Sequence, residues 1–479
     1  MQRKTCASNC RVPIFVAFAF AFLASMPGVA PLAADEIDDY VTGQLERQNI
    51  PGLSLAVVRN GKVIKAKGYG LANLEWNIPA TADTAYQLAS VSKQFTATAI
   101  MLLVEDGKLQ LSDSVTKYFS ELPAAWSNIT VRHLLTMTSG IKDYLNVVPP
   151  AEWRNDFTHA RLLEIMRNAP LDFAAGDKYA YSNSNYVLLA MLIQRLSGKS
   201  YDAFLAERVW GPLQMTATRR DSPFDVIPHR AALYEWKTNK FENIDLLNPS
   251  LWNNGDGGLL STVLDLARWD AALYTERILK KETLQQMWVE TPVNGGGKSG
   301  YGFGWGVGGA RGHRMVGHGG GRPGTSTQIM RFPDDGLTFI VLMNGRGNAF
   351  GIAERVAGHY IPGLTLHSMK PQKDPNPEFS QRLKQCLMEL AEKKDSEILT
   401  PEFRRNFANS RRRFAALQKD IKELKSFTFI ISEEPGQLER LGVRIARLAS
   451  YRMETTDGPR FYTFALTSDQ KVGSIDATD

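Results

Sequence analysis

Cysteine is nearly absent: three residues in a chain of 479. Cys6 and Cys10 stand within the first ten positions, so only Cys386 remains downstream and no internal disulfide is expected there. Charge of one sign is also missing. Fifty-six Lys and Arg stand against 50 Asp and Glu, which gives no reason to expect nucleic acid or an anionic membrane as a partner. No His-Glu-x-x-His and no cysteine cluster occurs, so no zinc site is expected. No Gly-Lys-Ser/Thr closes the glycines of Gly317–Gly321, so they are not a Walker A phosphate loop. The Gly-x-Ser-x-Gly elbow of the α/β-hydrolases is missing too. With 43% hydrophobic and 22% charged residues, the chain is neither collagen, a coiled-coil rod nor a disordered polymer.

The first stretch reads as an address. Arg3, Lys4 and Arg11 precede the apolar run Val12–Ala24, and no acidic residue appears before Asp35. Pro27-Gly28 and the small residues up to Ala34 follow. This is the order of a secretory signal peptide, with cleavage expected near Ala33 or Ala34. Thirteen apolar residues fall short of the roughly 20 a spanning helix needs, and the alternative is an uncleaved anchor. No other apolar run reaches membrane-spanning length. The expected domains are 1–34 signal peptide, 35–365 main domain, 366–379 proline-rich linker and 380–479 accessory module, in a secreted or periplasmic protein. Removing 1–34 leaves 445 residues with a net charge of +3.

Leu53–Arg59 and Lys62–Gly68 are β-type runs around Asn60-Gly61, which predicts a hairpin closed by a type I′ turn. Ser92–Glu105 predicts a helix apolar on most faces, hence a buried one. Short helices are expected at Val131–Met137 and Ala160–Arg167, and longer ones at Asn185–Leu196 and Ser261–Tyr274. Strands are expected at Gly302–Val307, Thr325–Phe332 and Leu337–Asn344. Strands at both ends with helices between predict an α/β (α+β) domain whose termini meet in one mostly antiparallel sheet. Pro362, Pro371, Pro375 and Pro377 mark the linker. Beyond it, helices at Ser380–Lys394 and Pro401–Leu424 precede strands at Ser426–Ser432, Val443–Thr455, Arg460–Thr467 and Lys471–Ala477, a small α+β module. Its Arg411-Arg412-Arg413 run reads as a solvated helix face.

Ser-x-x-Lys occurs four times, at Ser90, Ser114, Ser139 and Ser468. Only Ser90 opens the buried helix, where the i, i+3 spacing puts Ser90 and Lys93 one turn apart on one face. A lysine in a low-dielectric site has its neutral form favoured and can act as a base. The competing role for Ser90 is a helix cap. Tyr181-Ser182-Asn183 precedes another buried helix and offers a proton shuttle and an amide. Tyr144-Leu145-Asn146 shows the same spacing, so spacing alone does not decide. His318-Gly319-Gly320-Gly321 leads into a strand, where glycines let a substrate backbone approach.

In that order the three motifs resemble those of the penicillin-recognising serine hydrolases: class C β-lactamases, D-alanyl-D-alanine carboxypeptidases and related esterases and D-aminopeptidases. Val131–Ile141, Gly257–Trp269, Tyr301–Trp305 and Leu342-Met343-Asn344 add to the likeness over roughly Ile37–Leu364. The resemblance implies a β-lactamase/transpeptidase-like fold with no metal or organic cofactor, and a small-molecule or peptide substrate. Ser90 would be acylated, Lys93 would take its proton and Tyr181 would relay one to the leaving group. Asn183 would hold a substrate amide. His318 would tune Tyr181 or bind an anionic substrate end. Gly319 and Gly320 would line the substrate strand, and the N–H groups of Ser90 and Gly321 would form the oxyanion hole. Histidine at the third motif, where class C β-lactamases carry lysine, leaves the substrate open among β-lactam, D-peptide and ester. Many relatives also carry histidine where Met137 stands. A catalytically degenerate binding protein is the alternative function.

Overall fold

The computed structural model describes residues 32–479 except 154, 156, 245–254, 409–410, 436–437, 457 and 479. The segment 1–34 expected to be a signal peptide therefore lies almost wholly outside the described residues, as do the side chains of Arg411-Arg412-Arg413. Strands β1 (Gly52–Arg59) and β2 (Lys62–Asn73) form the expected hairpin. Asn60 and Gly61 have φ of 49° and 72°, the pair of positive angles a type I′ turn requires. Next in the sheet come β3 (Ile78–Pro79) at one edge and β4 (Gly306–Ala310), β5 (His313–Arg322), β6 (Thr325–Phe332) and β7 (Leu337–Met343). The order is β3-β2-β1-β7-β6-β5-β4. The chain ends of the domain meet there, with β1 antiparallel to β7 from Leu53↔Met343 to Arg59↔Leu337.

Both faces of β1 are buried. Leu53, Leu55 and Val57 pack with helices α1 (Leu32–Gln48) and α5 (Ala349–Tyr360), while Ala56 and Val58 face the larger helical core. At the centre of that core lies α2 (Lys93–Glu105), buried from Lys93 through Leu103, as its nearly uniform apolar surface predicts. Beside it run α3 (Asn183–Ser197) and α4 (Val263–Ala272). A buried ion pair pins α4 to the sheet: Arg331 Nε donates to Asp270 Oδ1 at 2.5 Å. No helix among the described residues is long and apolar enough to cross a membrane.

Three differences from the sequence reading have physical causes. Helix α1 was not expected, although Ile37, Val41 and Leu45 form one buried stripe at i, i+4 spacing. The strand predicted at Gly302–Val307 begins only at Gly306, because Gly302–Trp305 is a bend in which Gly302 N donates to Trp305 O at 2.8 Å. The glycines after His318 lead, as expected, into the strand Thr325–Phe332, but they also form a strand of their own, which was not expected. Glycine has poor strand propensity, yet the ladder of β5 with β6 runs unbroken from Val316↔Arg331 to Arg322↔Thr325.

Beyond residue 365, helix α6 (Pro377–Ala391) begins inside the expected linker, with Asn376 as its cap and Pro377 in the first turn. The helix expected over Pro401–Leu424 is described as α7 (Pro401–Ala408) and α8 (Arg411–Lys422), on either side of residues 409–410, which lie outside the described residues. They cover a four-stranded sheet of β8 (Ser426–Glu433), β9 (Arg447–Thr455), β10 (Gly458–Leu466) and β11 (Val472–Thr478) in that order. This module has its own buried cluster around Leu383, Leu387, Phe464 and Leu466.

Candidate active site

Ser90 sits in a tight 3-10 turn, Ala89–Ser92, that runs straight into α2 at Lys93. Ala89 has φ of 46°, a strained angle for a residue with a side chain, immediately before the serine. Ser90 caps nothing: the residue preceding α2 is Ser92, and it makes no side-chain cap bond. Instead Ser90 Oγ lies 3.0 Å from Lys93 Nζ. Lys93 is completely buried. Its Nζ also reaches Asn183 Oδ1 at 2.8 Å and the main-chain carbonyl of Asp256 at 2.5 Å. Those two carbonyls can only accept. Once Lys93 has given up a proton, its two remaining N–H bonds are spent on these carbonyls and its lone pair is left for the Ser90 hydroxyl.

Asn183 opens α3, and Asp143 holds it there. Asp143 Oδ2 accepts from Asn183 N at 3.1 Å and from Nδ2 at 2.8 Å. Asn183 is thus first a clamp on Lys93, with one Nδ2 hydrogen left over for a substrate carbonyl. Tyr181 stands at the rim, 38% exposed, with Lys93 Nζ 5.0 Å from its ring centroid. The His318 ring lies 6.2 Å from that of Tyr181. His318 Nδ1 is 2.6 Å from the Gly319 carbonyl, and Nε2 is 2.8 Å from the Tyr301 hydroxyl. Because a carbonyl cannot donate, the proton belongs on Nδ1, and Tyr301 O–H donates to Nε2.

The strand β4 pairs with β5 only as far as Gly306↔Gly317. From His318 onward β5 is paired to β6 alone, and its other edge lies open beside the Ser90 turn, against which it packs. Gly320 is what permits that approach. A Cβ there would lie 2.2 Å from Leu88 O, 2.3 Å from Thr327 Oγ1 and 3.1 Å from Ala89 Cβ. The structure thus gathers Ser90, Lys93, Tyr181, Asn183 and His318 into one site, with Gly319, Gly320 and Gly321 along its strand edge.

Two of the other Ser-x-x-Lys serines are engaged in structure. Ser139 Oγ donates to Asn185 Oδ1 at 2.5 Å, and Ser114 caps a short 3-10 turn. Met137 is fully buried under the Tyr181 loop. Its sulfur accepts from Ser182 N at 3.5 Å and Asn185 Nδ2 at 3.4 Å. A thioether thus serves as the acceptor for both groups here.

Sequence reasoning missed Asp143, Tyr144 and Asp256, and assigned Tyr301 no role. Tyr144 belongs to the repeat of the Tyr-x-Asn spacing. It is buried, and its hydroxyl donates to Asp256 Oδ2 at 2.8 Å. Asp256 is 3% exposed, and its Oδ1 accepts no hydrogen bond. The only sequence signal for Asp256 was its place among glycines, Gly255-Asp256-Gly257.

Two buried groups titrate in opposite directions here. Burial, aided by the Lys93 charge, holds the His318 imidazole down at about 4. Burial pushes the Asp256 carboxyl up to about 6, with Lys93 and the Tyr144 hydroxyl opposing. Unfolded histidine takes its proton near 6.5, so His318 costs the fold stability as pH falls from about 6.5 towards 4. The unfolded aspartate keeps its charge lower, so Asp256 gives stability back as pH falls through 6. Each effect is worth about 3 kcal/mol, and they offset. His318→Gln is expected to make the fold relatively more stable at pH 4.5 than at 6.5, and Asp256→Asn relatively less so. Thermal melts across that range check this; parallel curves for the three proteins would contradict it.

Among known proteins, the family model described as Beta-lactamase matches residues 37–359. "Penicillin-binding protein 4*" of Bacillus subtilis (strain 168) is 32% identical over 316 residues, 62% of this chain and 69% of that protein. The octameric penicillin-binding protein homologue from Pyrococcus abyssi is similar in fold, with a TM-score of 0.62 and 22% identity, over 91% of this chain and 94% of that one. The D-amino acid amidase from Ochrobactrum anthropi SV3, complexed with L-phenylalanine, has a TM-score of 0.56 and 25% identity, over 66% of this chain and 93% of that one.

Proposed function

This chain belongs to the beta-lactamase family and is a serine hydrolase of that family; we propose that it is exported and cleaves small amides through an acyl-enzyme on Ser90, D-amino-acid amides and peptides foremost. The observation that carries the reading is the contact of Ser90 Oγ with Lys93 Nζ at 3.0 Å, with the lysine's other two directions fixed by carbonyl acceptors. Lys93 takes the hydroxyl proton as Ser90 Oγ bonds to the substrate carbonyl carbon. The carbonyl oxygen, turning anionic, faces the N–H groups of Ser90 and Gly321. Tyr181 hands its proton to the departing amine and recovers the one Lys93 took from Ser90. Water then releases the acyl group, and Ser90 recovers its proton.

His318 supports this class of substrate. A buried imidazole held near 4 is neutral at physiological pH, so the third motif offers no cation to grip a carboxylate. That favours amides and esters over the anionic β-lactams, and the amidase neighbour of similar fold points the same way. Export rests on the basic, apolar and small-residue order of residues 1–34. Side-by-side hydrolysis of a D-alanine p-nitroanilide, p-nitrophenyl butyrate and nitrocefin tests the substrate reading. Turnover is expected to be fastest on the D-amide and slowest on nitrocefin; the reverse order would overturn that assignment.

A further inference from the structure

Asp256 is the buried ionisable group that the mechanism above leaves idle. Its main-chain oxygen holds Lys93 Nζ at 2.5 Å, its Oδ2 is held by Tyr144, and its Oδ1 is buried without a hydrogen bond. A buried acceptor left open is costly unless a nearby charge uses it. The turn at Asp143-Tyr144 serves both neighbours of Lys93: Asp143 holds Asn183, and Tyr144 holds Asp256.

The geometry points to Asp256 as the counter-ion of Lys93, a positioning residue whose carboxylate stabilises the ammonium that forms when Lys93 takes the Ser90 proton. In that step the Ser90 O–H bond breaks, an Nζ–H bond forms, and the Ser90 oxygen lone pair becomes the bond to the substrate carbon. One positive charge therefore appears on a side chain with no water around it. His318 is neutral and cannot balance it, and Asp143 acts through the Asn183 amide. The tyrosine rings of Tyr181 and Tyr186, 5.0 and 5.7 Å from Nζ, add only their π faces. On the far side, the charge of Arg322 and the hydroxyls of Tyr144 and Tyr201 face Asp256. Arg322 is itself tied to Gln87 and Asp221, which leaves the Asp256 carboxylate for Lys93.

This rests on the acyl-enzyme reading, and the test separates the two. Ser90 labelling by a fluorophosphonate is followed from pH 6 to 10 in wild type, Asp256→Asn and Asp256→Ala. Asp256→Asn is expected to lower the plateau rate at least tenfold and to move the rising limb to lower pH, since an ammonium without its counter-ion gives up its proton more readily. Asp256→Ala is expected to behave likewise and to regain rate in formate, which keeps the test usable if the asparagine variant does not fold. A lowered plateau with an unmoved limb and no formate rescue would reduce Asp256 to a packing role, and wild-type rates in both variants would remove it altogether. Absence of label from wild-type Ser90 would instead overturn the acyl-enzyme reading.

Discussion

Lys93→Met is expected to lower Ser90 acylation by about 10³-fold or more while leaving a folded protein. General bases contribute about 10²–10⁴ in rate, and here no other base lies within hydrogen-bond distance of Ser90 Oγ among the described residues. Methionine fills the space of the lysine stem in a completely buried position and removes a buried charge. Against that, it leaves Asn183 Oδ1 and the Asp256 carbonyl without their donor, about 1–3 kcal/mol for each orphaned group. Lys93→Arg sharpens the test. Arginine keeps the cation and the donors but cannot give up a proton at working pH. Labelling rates of the two variants, with melting curves as control, give the answer. Both are expected to fail alike; an active arginine variant would make Lys93 an electrostatic group and not a base.

Gly320→Ala is the second large effect. The added methyl would meet Leu88 O, Thr327 Oγ1 and Ala89 Cβ at 2.2, 2.3 and 3.1 Å, so β5 must move off the turn that carries Ser90. Overpacking of this kind costs about 1–3 kcal/mol, and a shift of about 1 Å between reacting groups costs about 10²-fold in rate. The neighbouring glycines calibrate it. At Gly319 the nearest atom is the flexible Gln328 amide at 3.0 Å, and at Gly321 nothing lies within 4 Å. Stability and acylation rate are expected to fall in the order Gly320→Ala, Gly319→Ala, Gly321→Ala. Equal losses at all three positions would mean that backbone flexibility, and not the close approach, is what this strand needs.

The parts legible in the sequence are those set by short-range physics. Asn60-Gly61 announces its turn because few residues accept two positive φ angles, and Ser90-x-x-Lys93 announces one helical face because three residues make nearly a turn. The triple glycine conceals its own strand for the opposite reason: β5 owes its extended form to the β6 ladder and to contact with Leu88, groups that the local glycine pattern does not encode. Asp256 and Tyr144 stay hidden because their meaning depends on each other, and 112 positions separate them. The Tyr-x-Asn repeat at Tyr144, cited only to show that the spacing is common, turns out to supply support beneath Lys93 and not the rim. Helix α1 was within reach of the periodicity of Ile37, Val41 and Leu45, which the apolar run preceding it obscured.

The central claim is that Ser90 becomes covalently acylated and then released. Intact-mass measurement of the protein mixed with a D-amino-acid ester, quenched in acid within seconds, reads this directly. The account predicts an added mass equal to the acyl group, mapped by peptide digestion to the segment containing Ser90, decaying as product accumulates and absent in Ser90→Ala. An unmodified wild type that still turns over substrate, or the same adduct in Ser90→Ala, would contradict it.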